Sequence, residues 1–338
     1  MPGTRRRLNA RTLAAAAAAW LLAAPSCAAD FSSNAIGTAG AEFLTVDVDP
    51  RGIAMGTAFT AVTGDAFSMY WNPAGLSLVP RAAVSAMHTE YLVGIRYQYF
   101  SYAQRITDAS VVAGAFRYMD AGSITNTDMS GNELGTFRPR NYVFEGGWGK
   151  TISEMTDSEH DVSLGISGRV IHSDLVAHAD GFCADMGVQA HYSEAYVPYN
   201  FGMVLQNIGR GQKFDRARDP LPLRLRIGAS ILPKPFLLLS MDAIGQNSNQ
   251  PYGALGGEFS VDTPAGVKLM VRGGYNSRLQ FKGPEGLRGI SGGIGIRAGD
   301  FSFDYAIVPL GILGDTHRFS VSWSLPAKRS RKYRRRGF

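Results

Sequence analysis

The chain has 338 residues, 45% of them hydrophobic and 18% charged, with 40 Gly, 18 Phe and 14 Tyr; this is too apolar and aromatic for disorder and too glycine-rich for a helix bundle. Mean hydropathy is −0.06 and only one long apolar run occurs, which excludes a multi-span α-helical membrane protein, since each crossing needs roughly 20 consecutive apolar residues. The net charge of +6 resides at the ends: without the four arginines near the start and the seven cations after Pro326, the body stands at −5, so no basic face for nucleic acid runs through it.

Arg5, Arg6, Arg7 and Arg11 precede the Ala/Leu run Leu13 to Ala24, and small residues from Pro25 to Ala29 follow. That order predicts a secretory signal peptide over residues 1–29. A rival reading makes Cys27 the acylated residue of a lipoprotein site. Residues 30–80 show no alternation and mix small with large apolar side chains, which suits a compact plug packed inside something. Asp65 is placed to cap a short helix, Pro73 to end it by restricting Asn72, and Gly75 to permit a tight turn.

From residue 81 the pattern has period two. Leu221, Leu223, Leu225, Ile227, Ala229 and Ile231 share a face opposite Arg224, Arg226 and Ser230; Phe319, Val321, Trp323 and Leu325 oppose Ser320, Ser322 and Ser324. Strands are predicted at 81–89, 94–105, 109–120, 141–151, 160–173, 180–192, 198–208, 221–232, 235–244, 252–261, 266–275, 289–299, 300–309 and 316–325. The fold class predicted is all-β: a transmembrane antiparallel β-barrel of about 14 strands over 81–326, with an N-terminal hatch containing short helices. Long connections at Ala121 to Arg140, Gly209 to Pro220, Gly245 to Pro251 and Asn276 to Arg288 alternate with short ones at Thr107-Asp108, Pro233-Lys234, Asp262 to Ala265 and Gly299-Asp300. Ile152 to Glu159 breaks that rule by its length. The alternative is a soluble β-sandwich or propeller; closure is favoured because lipid cannot satisfy a free sheet edge. Residues 327–338 read as a solvated basic tail.

Catalytic and metal signatures fail on inspection. Gly289-Ile290-Ser291-Gly292-Gly293 matches G-x-S-x-G but opens a strand with no helix after it. The stretch Asp47 to Gly52 begins like a calcium loop, yet Ala58 occupies the twelfth position. His172, Asp174, His178 and Asp180 crowd one predicted loop at spacing too loose to specify a metal. Cys183 stands alone if Cys27 leaves with the leader. No enzyme, cofactor or resident metal is expected.

Gly40-Ala41-Glu42-Phe43-Leu44, then Arg51-Gly52-Ile53-Ala54-Met55-Gly56-Thr57-Ala58-Phe59-Thr60-Ala61, then Asp65-Ala66-Phe67-Ser68-Met69-Tyr70-Trp71-Asn72-Pro73-Ala74-Gly75-Leu76 resemble the opening of the PorV/PorQ family, a branch of FadL-like outer-membrane proteins. Later stretches, among them Gln206 to Gly209, Asp219 to Pro222, Arg272 to Tyr275 and Leu313 to Arg318, are similar to its later landmarks. The chain departs from the family at its end, where the last strand is followed by the basic tail. The resemblance implies a fourteen-stranded barrel of the bacterial outer membrane with a hatch motif at Asn72, Pro73, Ala74 and Gly75. It also implies passive uptake of long-chain fatty acids or other hydrophobic small molecules past that hatch.

Phe59, Phe67, Met69, Tyr70 and Trp71 are the candidate ligand contacts, the alternative being that they pack the plug. Expected partners are outer-membrane lipid, a hydrophobic small molecule such as a fatty acid, and the outer-membrane assembly machinery. A second reading is a PorV-like surface barrel that binds or shuttles exported proteins in a secretion system; a third is a purely structural barrel.

Overall fold

The computed structural model describes residues 37–152, 161–214, 218–279, 289–311 and 314–326. The predicted leader with Cys27, the connection 153–160 and the basic tail lie outside the described residues. The strands are β1 Ala82–Glu90, β2 Arg96–Arg105, β3 Ser110–Asp120, β4 Ile124–Thr127, β5 Glu133–Phe137, β6 Arg140–Thr151, β7 Asp161–Asp174 and β8 His178–Tyr192. They continue with β9 Tyr199–Arg210, β10 Arg224–Lys234, β11 Leu237–Gln246, β12 Asn249–Asp262, β13 Val267–Asn276, β14 Ile290–Ala298, β15 Phe301–Pro309 and β16 Asp315–Leu325. Fourteen of them close into one antiparallel barrel in sequence order, with β1 paired to β16 from Ala82↔Leu325 to Glu90↔His317. Closure leaves the barrel no unpaired edge, as period-two strands facing lipid require.

The alternation sorts the two faces. Outward residues such as Leu225, Ile227, Phe303, Phe319 and Val321 are exposed, whereas Arg224, Arg226, Asp304 and Ser320 point into a filled lumen and are buried. No helix among the described residues is long and apolar enough to cross a membrane.

Four expectations are corrected. The stretch 121–140 carries its own hairpin, β4–β5, which pairs only with itself. Gly245 to Pro251 is no long loop, because β11 and β12 run to within two residues of each other. His172 to Asp180 lie largely on β7 and β8, where His172 faces Asp180 and Asp174 faces His178 across the ladder. Leu221 precedes β10 and turns inward, 5% exposed, to pack with Leu44, Val143, Ile171 and Cys183.

Residues 37–80 fill the lumen as short helices at Glu42–Thr45, Pro50–Ala54, Ser68–Trp71 and Pro73–Leu78. Asp49 starts the second of these: its carboxylate accepts from the N–H groups of Arg51 (2.9 Å) and Gly52 (3.2 Å), and Pro50 fills the first helical position. Asp65 closes a turn by accepting from the Phe67 N–H (2.9 Å), one step before the helix it was expected to cap. Asn72 is extended and ends that helix, then caps the next by accepting from the Ala74 N–H (3.1 Å). Gly75 lies within Pro73–Leu78, and its lack of a Cβ serves close approach to the Thr63 side chain, not a turn.

Candidate functional site

Charged residues at alternate strand positions reach inward and clamp the hatch. Arg51 of the hatch donates to both oxygens of Glu258 (Nε to Oε2 and Nη2 to Oε1, each 2.8 Å); Arg272 donates to the same Glu258 (2.6 Å) and to Asp304 (2.7 Å). Asp242 Oδ2 accepts from the N–H groups of Phe59 (3.2 Å) and Thr60 (3.1 Å), from the Thr60 hydroxyl (2.5 Å) and from Arg226 (2.8 Å). A third chain, Arg117–Glu145–Arg169–Asp185, spans β3, β6, β7 and β8. Such buried charges are tolerable because each is paired and hydrogen-bonded; removing one member strands its partner in a low-dielectric interior.

Backbone approach supplies the rest of the seat. A Cβ at Gly165 of β7 would collide with the Pro73–Ala74 peptide, and one at Gly274 of β13 with Met55–Gly56. Asn72 ties the two bodies together, its Nδ2 donating to Thr60 O (3.2 Å) and Val188 O (3.1 Å). Arg105 donates to the carbonyls of Ser77, Val79 (2.7 Å) and Pro80 (2.9 Å), securing the end of the last hatch helix.

On the side of the β1–β2, β11–β12 and β13–β14 connections the hatch does not fill the lumen. A cavity of about 770 Å³ lies there. Its floor is hatch residues Phe43, Val46, Ile53 and Gly56, its walls include Leu92, Ile95 and Leu310, and Arg318 of β16 borders it. Arg318 donates to Asp47 O (3.2 Å) and stands 5.6 Å from the Tyr91 ring centre. Below the floor, Tyr70 donates to Asp47 (2.7 Å) and Trp71 to Asp49 (3.0 Å). Burial, joined by the Asp65 charge, pushes the Asp49 carboxyl up to about 8 against the opposing pull of Arg51 and the Trp71 donor.

The five predicted ligand contacts come together beneath this cavity, and none lines it. Phe59, Phe67, Tyr70 and Trp71 form one buried cluster with Tyr97, Tyr99 and Met119, and Met69 packs with Leu76 and Val79; all five are at most 1% exposed. Asn72, Pro73, Ala74 and Gly75 pack against the inner faces of β6, β7 and β8. The G-x-S-x-G serine has a mechanical role: Ser291 accepts from the Gly56 N–H (3.1 Å) and donates to Ala54 O (3.2 Å). No group of three metal-ligating side chains occurs among the described residues. Glu145, Asp242 and Glu258 were not singled out from the sequence. Their signal was an ionisable residue at an inward position of a strand whose outward positions are apolar, as Arg224 and Arg226 illustrate.

Comparisons bear on the same features. The barrel resembles the Ralstonia pickettii toluene transporter TbuX (10% identity, TM-score 0.52, covering 82% of this chain and 98% of that one). It also resembles a Pseudomonas aeruginosa FadL homologue (8%, 0.52, 82% and 98%) and the P. putida toluene transporter TodX (10%, 0.52, 83% and 99%). At such identities the likeness is one of fold alone. A search of curated proteins returns no match. The family model described as type IX secretion system protein PorV matches residues 28–250, which take in the whole hatch and the wall from β1 through β11: the chain belongs to the PorV family.

Proposed function

We propose that this barrel sits in the bacterial outer membrane and takes up a hydrophobic or amphipathic small molecule through the cavity above its hatch, long-chain fatty acids being one such class. The observation that carries the reading is a lumen filled by the hatch on one side and open on the other into a pocket of about 770 Å³, where apolar Phe43, Val46, Ile53 and Ile95 stand beside Glu42, Asp47 and Arg278, a size and lining suited to a small amphipathic ligand. Passage then requires the floor, residues 42–57, to shift, since Phe59, Tyr70 and Trp71 are packed and become ligand contacts only after such movement. Native mass spectrometry of the detergent-purified barrel tests this. A stoichiometric hydrophobic molecule is expected, and it is lost on Ile53→Arg. An empty cavity in the unaltered protein overturns the reading.

Family membership favours a second reading, a surface barrel that binds or shuttles exported proteins. The β4–β5 hairpin, with Met129 and Leu134 exposed at its end, offers a place for that contact. Co-purification of a secreted polypeptide with an empty barrel, abolished by deleting residues 124–137, is the outcome that selects it.

A further inference from the structure

The inward arginines of the wall are not fastened alike. Arg117, Arg169, Arg226 and Arg272 each hold a carboxylate, and Arg224 is enclosed by Gln206 (3.1 Å) and the Tyr70 hydroxyl (3.3 Å). Arg318 of β16, 6% exposed, has no carboxylate in salt-bridge reach among the described residues. Its hydrogen bond runs from Nη1 to Asp47 O (3.2 Å); Nε is buried without a partner, and Nη2 makes no hydrogen bond among the described residues. The side-on Nε/Nη2 edge, the one that matches the two oxygens of an oxyanion, is therefore free.

The guanidinium stands at the cavity above the hatch. Arg318, its acceptor Asp47 and Tyr91, whose ring centre is 5.6 Å away, all line that space. The carboxylates of the lining are already served by donors: Glu42 accepts from Ser248 and Gln246, and Asp47 from Tyr70 (2.7 Å). Water at Nε satisfies an N–H bond but not the charge, and a buried cation without a counter-charge is costly. Phe43, Val46, Ile53, Ile95 and Leu310 supply apolar surface in the same cavity. A ligand that answers both features carries an anionic head and an apolar body.

We propose that the cavity selects amphipathic oxyanions, of the carboxylate or sulfonate type, over neutral hydrocarbons and cationic amphipaths, with Arg318 as the specificity-determining residue. The inference rests on the uptake reading above and narrows it. Two head-group oxygens accept from Nε and Nη2 while Nη1 keeps its bond to Asp47 O, so the occupied head site is tied to the hatch floor. Arg278, its guanidinium 5.7 Å from the Tyr252 ring centre, also lines the cavity and serves as the control.

Titration of the full-length barrel in nanodiscs with decanoate, decanol and decyltrimethylammonium, with the heats of matched empty discs subtracted, tests the assignment. Decanoate is expected to bind about tenfold more tightly than decanol, because hydrogen bonds between charged groups are the strong ones, and decyltrimethylammonium is expected to bind most weakly. Arg318→Met is expected to bring decanoate down to the affinity of decanol and to leave decanol unchanged; Arg278→Met is expected to keep the preference. Equal binding of decanoate and decanol overturns the assignment but leaves uptake standing, whereas binding of none of the three removes both. A preference that survives Arg318→Met, or that vanishes with Arg278→Met alone, also overturns it. Should Arg318→Met fail to assemble, crystals of the unaltered barrel with decanoate decide: carboxylate density within hydrogen-bond reach of Arg318 Nε is expected, and a head group seated elsewhere in the cavity refutes the assignment.

Discussion

Residues 37–62 and 63–80 lie in one lumen but are fastened by different chemistry. The first part is held by charge: Arg51 on Glu258, and Asp242 on the Phe59 and Thr60 amides. It also contains Ala41, Asp49 and Thr57, non-glycine residues at positive φ, which persist only where surroundings impose them at a cost of order 1–3 kcal/mol each. The second part has no ion pair to the wall among the described residues. Both parts press backbone onto wall glycines, Met55–Gly56 onto Gly274 and Pro73–Ala74 onto Gly165, so the second relies on that contact and on Ser77, which donates to Ser163 (2.7 Å). The cavity lies over the first part alone. The first half is thus strained and clamped by charge, and the neutral half wedged by backbone contact.

Asp242→Ala should break this contrast most strongly. It leaves Arg226 unpaired at 1% side-chain exposure and frees three hatch donors, so opening of residues 55–62 should become easier by about 3–5 kcal/mol. Hydrogen exchange at the Phe59 and Thr60 amides reads the effect. Equal loss of protection at residues 74–79 would mean that the hatch moves as one body.

Gly165→Ala attacks the other half. The added methyl overlaps the Pro73–Ala74 peptide, and overpacking of this kind costs about 1–3 kcal/mol. Proteolytic sensitivity or faster exchange is expected at 70–79, with the Arg51–Glu258 end still protected. Asn72→Ala removes a cap, one donated bond to the first half at Thr60 and one to the wall at Val188, and a cap alone is worth about 1 kcal/mol. Exchange is expected to quicken on both sides of the junction.

A further effect is in pH. With the Asp49 carboxyl raised to about 8 when seated and near the ordinary value of about 4 when released, the seated form holds a proton that the released form gives up. Seating is therefore strongest below about pH 4, loses this contribution as pH rises from there to about 8, and stays level above. The thermal midpoint of hatch release should fall between about pH 5 and pH 8 and level off above, and Asp49→Asn should flatten that fall. A fall of equal size in the variant would locate the titration elsewhere.

The wall was legible in the sequence because its information is local: period two assigns each side chain to lipid or lumen, and all fourteen predicted barrel strands recur close to their predicted bounds. The hairpin β4–β5 escaped because Ile124 to Phe137 is exposed on both faces, so burial imposes no alternation there. Leu221 matched the outward phase of β10, but the strand begins only at Arg224; beyond its end, packing on Leu44 decided the orientation. The hatch anchors were the least legible. Arg51 and Glu258, or Phe59 and Asp242, meet across more than 180 residues of sequence, and single-chain periodicity carries no record of who meets whom.

The ladder from β16 through β1 and β2 to β3 is unbroken in register. Its irregularities lie elsewhere, and the one within the wall between β8 and β9 is bridged by Asp185, whose Oδ1 accepts from the Asn207 N–H (2.8 Å) and from Arg169 (2.9 Å). Across the described strands the palisade has no missing stave. A sideways exit through this wall would demand that paired staves part first.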